Sequence, residues 1–103
     1  MLRIEIIANR ALTDEIIALI PGGGGENPPP FTMLTSVQGR GSSGPCRGDE
    51  VWPETNILII LYMEEAELLS LRKALGELKA AYPVQGVALF QTAQAKEIPL
   101  VQP

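Results

Sequence analysis

The chain has 103 residues, with 8 basic and 12 acidic side chains and a formal net charge of −4. It contains no histidine and a single cysteine, which excludes a Ser-His-Asp or Cys-His hydrolase, a histidine-ligated metal, an internal disulfide and a cysteine-cluster metal site. The length predicts one domain over 1–103, and the acidic charge argues against nucleic-acid binding.

The first half of the chain predicts two strands joined by a helix and a loop. Residues 2–8 alternate in a period-two pattern typical of a strand. A short helix follows, with Thr13 as the expected N-cap, and it ends at Pro21. The segment 22–30 (GGGGENPPP) predicts a surface loop, because four glycines are too flexible and three prolines cannot donate backbone hydrogen bonds. Residues 31–38 are rich in Thr, Val and Phe and predict a second strand.

The next two elements are separated from the second strand by a segment rich in glycine, proline and serine. Residues 38–54 predict a long loop. Residues 56–63 (NILIILYM) are apolar on both faces, which is typical of a central strand. From Glu64 the apolar side chains step by three and four residues, which predicts an amphipathic helix that carries Leu68, Leu71, Leu75, Leu78 and Tyr82.

The chain ends in one further strand and a tail. Pro83 ends the second helix, and residues 86–93 predict the last strand. The C-terminal tail, 94–103, contains two prolines and predicts an edge or an extended arm.

This order of elements predicts an α+β, ferredoxin-like βαββαβ fold: a four-stranded antiparallel sheet with two helices on one face. The most apolar strands, 2–8 and 56–63, are expected in the middle. Because both faces of 56–63 are apolar, one apolar face of the sheet would lie uncovered in a monomer. Large uncovered apolar surfaces mark interfaces, so self-association through this face is predicted.

The sequence carries no signal for membrane insertion. Its longest apolar run, 57–63, is far shorter than the about 20 residues that span a bilayer. Arg3 and Glu5 interrupt the N-terminal apolar pattern, which a signal peptide would not tolerate. The single Cys46 is typical of a reducing compartment, so a cytoplasmic protein is expected.

The segment GRGSSG at 39–44 is the strongest candidate binding motif. Closely spaced glycines let backbone N–H groups turn toward an anion, and the hydroxyls of Ser42 and Ser43 add donors. The alternative is an ordinary flexible turn. The motif is not a P-loop, because the GK[ST] ending is absent, and not a Rossmann fingerprint, because no helix follows.

The loop after this motif contains two further candidates. Trp52 is either an anchor that holds the loop or an exposed partner-binding residue. Arg47 would lower the pKa of the neighbouring Cys46 thiol, but without an adjacent base or second cysteine an ordinary surface thiol is the alternative.

Acidic residues follow in the same loop. Asp49, Glu50 and Glu54 present oxygen ligands suited to a divalent cation, and a solvated acidic face is the alternative. The chain shows no histidine, no paired-carboxylate motif and no lysine in an apolar setting. We therefore expect no catalytic residues and no enzyme.

The glycine turn that closes the second strand, followed by a long loop to an apolar strand, resembles the PII signal-transduction superfamily. In PII proteins the second strand ends in a Gly-x-Gly turn that leads into the T-loop. Gly39, Arg40 and Gly41 stand where that turn would be, and 39–55 would be the T-loop-like segment. The resemblance covers roughly residues 2–93 and is closer to the short PII-like branch than to the nitrogen regulatory proteins themselves.

The resemblance implies a homotrimer that senses a small effector in the clefts between subunits. It implies an adenine nucleotide as the possible effector, with no cofactor required, close to Gly39, Arg40, Gly41, Ser42, Ser43 and Gly44. It also implies that the 45–55 loop signals to a protein partner such as a membrane transporter or a metabolic enzyme. The partner-binding residues would be Cys46, Arg47, Asp49, Glu50 and Trp52.

The sequence departs from the PII pattern at the phosphate-binding positions. Ser42 and Ser43 stand where PII proteins carry basic residues, and the loop at 82–86 contains no lysine. Fewer charge-assisted bonds predict weaker binding of a triphosphate, which leaves AMP-like ligands, uncharged ligands or a small anion open. The alternative function is a CutA-like trimer that responds to a divalent cation through Asp49, Glu50 and Glu54 without binding a nucleotide.

Overall fold

The structure, a computed structural model, describes residues 1–20, 30–41, 44–46, 48 and 55–101. Its elements in chain order are β1 (Leu2–Asn9), a 3₁₀ turn (Arg10–Leu12), α1 (Thr13–Leu19), β2 (Thr32–Val37), β3 (Gly39–Gly41), β4 (Gly44–Cys46), β5 (Asn56–Met63), α2 (Glu65–Ala81) and β6 (Val87–Thr92). The predicted loop at 22–30 lies outside the described residues.

Four of the strands form one antiparallel sheet in the order β2-β5-β1-β6. The central pair runs from Leu2 opposite Met63 to Asn9 opposite Asn56. β6 pairs with β1, and β2 pairs with β5 through a bulge at which Ser36 adopts a positive φ of 56°. The predicted α+β fold, with 2–8 and 56–63 at its centre, is confirmed.

The core lies between the sheet and α2 and α1. Alternation along the central strands turns Ile4, Ile6, Ile57, Ile59 and Leu61 toward the helices, where all five are buried. From α2 the predicted leucine positions Leu68, Leu71 and Leu75 are buried against them. Tyr82 is different: α2 ends at Ala81, one residue earlier, and the Tyr82 side chain is exposed.

The start of α1 differs from the prediction in its capping residue. Thr13 is the first residue of α1, and no side chain caps the helix at Leu12. A 3₁₀ turn precedes the helix instead, and the Asn9 side chain accepts a hydrogen bond from the backbone N–H of Ala11. The capping therefore occurs four residues before the predicted position, because the chain turns before α1 begins.

The segment 38–54 is not an unbroken loop. β3 and β4 pair as an antiparallel hairpin, with Gly39 opposite Cys46 and Gly41 opposite Gly44. The glycine- and proline-rich composition of this segment predicts a loop because these residues are poor strand formers, whereas the hairpin needs only backbone hydrogen bonds.

The second face of the four-stranded sheet is not covered by any described element. Leu58 and Ile60 of β5 point to this face together with Leu34 and Phe90, the latter two exposed. The predicted uncovered apolar face is therefore present in the described part of the chain. None of the described helices is long and apolar enough to cross a membrane.

Candidate functional site

The candidate site lies at the end of the sheet where β1 finishes and β5 and β6 begin. The backbone N–H of Asn9 donates to the carbonyl oxygen of Gly86, at 2.9 Å, and that of Arg10 donates to the carbonyl oxygen of Thr55, also at 2.9 Å. These two bonds hold the connection before β6 and the connection before β5 on either side of the end of β1. Three separate chain segments therefore meet at this sheet end.

Asn9 is the buried polar residue at this junction. Its side chain is nearly inaccessible, and its Oδ1 accepts the Ala11 N–H at 2.9 Å. This bond turns the chain out of β1, so that the next side chain, that of Arg10, is exposed at the sheet end. Asn9 therefore has a structural role: the turn that it stabilises places the cationic side chain of Arg10 at the junction.

We predict that Asn9→Ala lowers the free energy of unfolding by about 1–3 kcal/mol, since it removes the turn's acceptor and leaves a backbone donor without its partner. Urea denaturation measures the change. Gln38→Ala, at an exposed position near the same sheet end, is the control and should change stability by less than about 0.5 kcal/mol. Equal losses in the two variants would contradict the role of Asn9.

The glycine turn approaches this junction from β2. A Cβ atom at Gly39 would lie 3.0 Å from Nδ2 of Asn56, the first residue of β5. Backbone and side chain are therefore in close contact here, and a larger residue would have to displace the Asn56 amide. This contact brings the predicted Gly39–Gly41 turn to the same sheet end as Arg10 and Gly86.

A lysine from α2 reaches the loop between α2 and β6. The Nζ of Lys79 donates to the carbonyl oxygen of Pro83, at 3.3 Å, and to that of Gln85. The loop 82–86 itself contains no lysine, as the sequence shows, but Lys79 reaches it from the last turn of α2. A lysine in the last turn of a helix can reach the carbonyl oxygens that follow the helix. The position of Lys79 near the predicted end of the helix could therefore have indicated this contact from the sequence.

The segments that meet at this sheet end carry charges of one sign, and the acidic Asp14 and Glu15 follow Arg10 in the first turn of α1. Among the described residues 9–10, 39–41, 55–56 and 79–86, the side chains of Arg10, Arg40 and Lys79 are cationic and none is acidic. Cationic side chains combined with backbone N–H groups can bind an anion.

The structure describes only part of the predicted site. Gly39, Arg40 and Gly41 lie in β3, and Gly44 and Cys46 lie in β4, paired across the hairpin. Ser42, Ser43, Arg47, Asp49, Glu50 and Trp52 lie outside the described residues, as does Glu54. In the part of the chain that is described, no three side chains of His, Cys, Asp or Glu group to hold a metal ion.

The uncovered sheet face has a polar cluster at its other end. Nε of Arg3 donates to Oε2 of Glu5 at 3.1 Å, and Nη1 of Arg3 lies 3.4 Å from the Tyr62 hydroxyl oxygen. The hydrogen bond that Arg3 donates to Glu5, followed by the negative electrostatic influence of Tyr62, raises the pKa of Arg3 above its ordinary value. The uncovered sheet face is therefore apolar near Leu58. Toward Arg3 it is polar, and the charges of Arg3 and Glu5 neutralise each other there.

The chain is similar to solved structures of CPII, described as a nitrogen regulatory PII-like protein, from Thiomonas intermedia K12. A CPII structure bound to ADP, AMP and bicarbonate has a TM-score of 0.67 and 18% identity, and the match covers 96% of this chain and 94% of CPII. Another, bound to ADP and bicarbonate, has a TM-score of 0.65 and 20% identity over 88% of this chain and 82% of CPII.

A third CPII structure, also bound to ADP, AMP and bicarbonate, has a TM-score of 0.60 and 19% identity over 87% of this chain and 86% of that one. No protein-family model matches the sequence, and no curated protein matches it significantly. At this level of sequence identity the similarity shows a shared fold and nothing further. The resemblance based on the glycine turn is confirmed at that level: the chain has the fold of the PII-like proteins.

Proposed function

We propose that the protein is a PII-like regulator, a homotrimer that senses an adenine nucleotide, with or without a small anion such as bicarbonate, and reports it to a protein partner. The observation that carries this proposal is that the glycine turn, the end of β1 and the loop reached by Lys79 meet at one end of the sheet, in a fold whose solved neighbours bind ADP, AMP and bicarbonate. The function is binding and signalling rather than catalysis.

The effector site is proposed at the sheet end, with the phosphates near the backbone of Gly39, Arg40 and Gly41. Lys79 is the proposed replacement for the basic residue that the loop before β6 lacks. When an anion approaches, the Nζ of Lys79 can keep one carbonyl partner and donate a remaining proton to the ligand, because an ammonium group has three donors. This cation compensates for part of the positive charge missing at Ser42 and Ser43.

The homotrimer is proposed to form through the uncovered sheet face. Leu34, Leu58 and Phe90 offer an apolar surface of the kind that marks interfaces. Burial of this face between copies would also bring the effector sites of neighbouring chains toward each other.

Signalling is proposed to run through the 45–55 loop. Its first two residues lie in β4 and the rest follow the β3–β4 hairpin in sequence, so an effector bound at the glycine turn would change the hairpin to which the loop is attached. A membrane transporter or a metabolic enzyme is the proposed class of partner.

The first experiment is a thermal-shift panel with ATP, ADP, AMP, bicarbonate and divalent cations. A ligand at about 100 times its dissociation constant adds about 2.7 kcal/mol to the state that binds it. We expect stabilisation by ADP or AMP. A response to divalent cations alone would contradict the proposal and support the CutA-like alternative, whose carboxylates are Asp49, Glu50 and Glu54.

We predict that Gly41→Val abolishes the nucleotide-induced shift and leaves the oligomer intact, because a β-branched side chain restricts the backbone of the glycine turn, which belongs to β3 and not to the four-stranded sheet. The shift and the sedimentation profile are measured on the same preparation. A variant that still responds fully to ADP would show that the effector binds elsewhere.

A further inference from the structure

The β3–β4 hairpin is held at both of its ends to the residues where β5 begins. A Cβ atom at Gly39, the first residue of β3, would lie 3.0 Å from Nδ2 of Asn56. Just beyond the end of β4, a Cβ atom at Gly48 would lie 2.7 Å from Cγ2 of Thr55. Because Thr55 and Asn56 are neighbours in sequence, the start of the hairpin and the chain that leaves it lie against the same point.

The contact at Gly48 requires a glycine for two reasons. The φ angle of Gly48 is 72°, in the left-handed region that residues with a Cβ atom rarely adopt. In addition, a Cβ atom 2.7 Å from the Thr55 methyl would have to displace it, and a β-branched side chain is stiff at χ1. Gly48 is exposed, so packing in the core does not account for this close approach.

Thr55 is in turn fixed to the candidate site. Its carbonyl oxygen accepts the backbone N–H of Arg10 at 2.9 Å, and the neighbouring N–H of Asn9 donates to the carbonyl oxygen of Gly86 at the same distance. A continuous series of contacts therefore joins Gly48 to the end of β1 and to the loop before β6. Energetic coupling between sites is carried by packed and hydrogen-bonded groups of this kind.

The proposed signalling loop leaves and rejoins the described chain at this contact. Residues 49–54 lie outside the described residues, but Gly48 and Thr55, which flank them, lie against each other. The hairpin that precedes Gly48 carries the glycine turn near which the effector is proposed to bind. A change in the hairpin would therefore reach the loop through Gly48.

We propose that the contact between Gly48 and Thr55 couples the effector site to the signalling loop. This inference rests on the proposed function and names the element that transmits the signal within it. Gly48 is a positioning residue: it holds one end of the loop to the sheet end at which the effector binds. Once the contact is broken, that end follows the hairpin alone, and the effector binds without changing the loop.

Trp52 supplies a signal from the loop itself, because it is the only tryptophan in the chain. Titration calorimetry of the full chain measures ADP binding, and Trp52 fluorescence measures the response of the loop. In the unmodified protein we expect a saturable fluorescence change with the dissociation constant found by calorimetry. Gly48→Ala should keep the affinity for ADP within about threefold, since Gly48 lies outside the glycine turn, and should lose most of the fluorescence change.

Two further variants separate this contact from general effects of an added methyl group. Gly76→Ala, in α2, places its Cβ atom where nothing lies within 4 Å, and it should leave the affinity and the fluorescence change as they are. Thr55→Ser in the Gly48→Ala background removes the Cγ2 atom that the new methyl group would meet. It should recover part of the fluorescence change, since the unfavourable φ angle remains.

The possible outcomes distinguish the coupling from the proposed function. A full fluorescence response in Gly48→Ala, or no recovery in the double variant, would overturn the coupling and leave the effector site standing. ADP binding to the unmodified protein without a change at Trp52 would do the same. Loss of ADP binding in Gly48→Ala would assign Gly48 to the effector site and overturn its positioning role. No ADP binding to the unmodified protein would overturn the proposed effector site and the coupling together.

Discussion

Ile59→Asp is expected to unfold the protein, whereas the same substitution at its neighbour, Leu58→Asp, is expected to leave each chain folded and to prevent assembly of the proposed trimer. Ile59 is 0% exposed between the sheet and the helices. Burial of a carboxylate there, with loss of the isoleucine packing, costs more than about 4 kcal/mol, a large part of the about 5–15 kcal/mol that stabilises a domain.

Leu58 points to the opposite, uncovered face, where it lies across from Ile7 and Leu34. A carboxylate there remains in contact with water in the separated chain, so its cost to folding stays near or below about 1 kcal/mol. In an assembled oligomer the same carboxylate would be buried without a partner. Circular dichroism reports folding and sedimentation equilibrium reports mass. A folded Leu58→Asp protein with unchanged mass would contradict assembly through this face.

The second large effect concerns the lysine that reaches the loop before β6. Lys79→Met is expected to weaken ADP binding roughly 10- to 100-fold, because a hydrogen bond to a charged group contributes about 1.5–3 kcal/mol and about 1.4 kcal/mol corresponds to a factor of ten. The unliganded protein should change little in stability, since the carbonyl oxygens of Pro83 and Gln85 can turn to water in this partly exposed loop. Titration calorimetry measures the affinity.

Lys73→Met is the matched control, on the same helix but with an exposed side chain away from the loop. It should leave the affinity for ADP within about twofold of the original, as expected for a distant surface charge screened by salt. Lys79→Arg retains a cation and should recover part of the loss. Equal effects of Lys73→Met and Lys79→Met would attribute the change to net charge and contradict a specific role for Lys79.

The fold was predictable where periodicity is strong. The alternation in 2–8 and the apolar run 56–63 correspond to β1 and β5, the central strands, because central strands bury one face under the helices and need apolar residues there. The leucine spacing from Leu68 to Leu78 likewise corresponds to α2. These patterns reflect burial, which dominates the energetics of folding.

The parts that were missed depend on backbone geometry rather than on burial. The β3–β4 hairpin contains three glycines, a proline, Arg40 and Cys46, a composition that carries no strand signal. The capping by Asn9 depends on a 3₁₀ turn of three residues, too short to leave a periodic pattern. The position of Lys79 over the loop before β6 depends on where α2 ends, and sequence patterns define helix ends poorly.

The central claim is that an adenine nucleotide binds at the sheet end formed by the glycine turn and the loop before β6. Backbone amide NMR spectra of the labelled protein, recorded during titration with ADP, test this claim most directly. We predict saturable shifts at Gly39, Arg40, Gly41 and Gly86, and unchanged signals at the distant Arg3 and Glu5. Saturable shifts confined to other residues, or no shifts at millimolar ADP, would contradict the account.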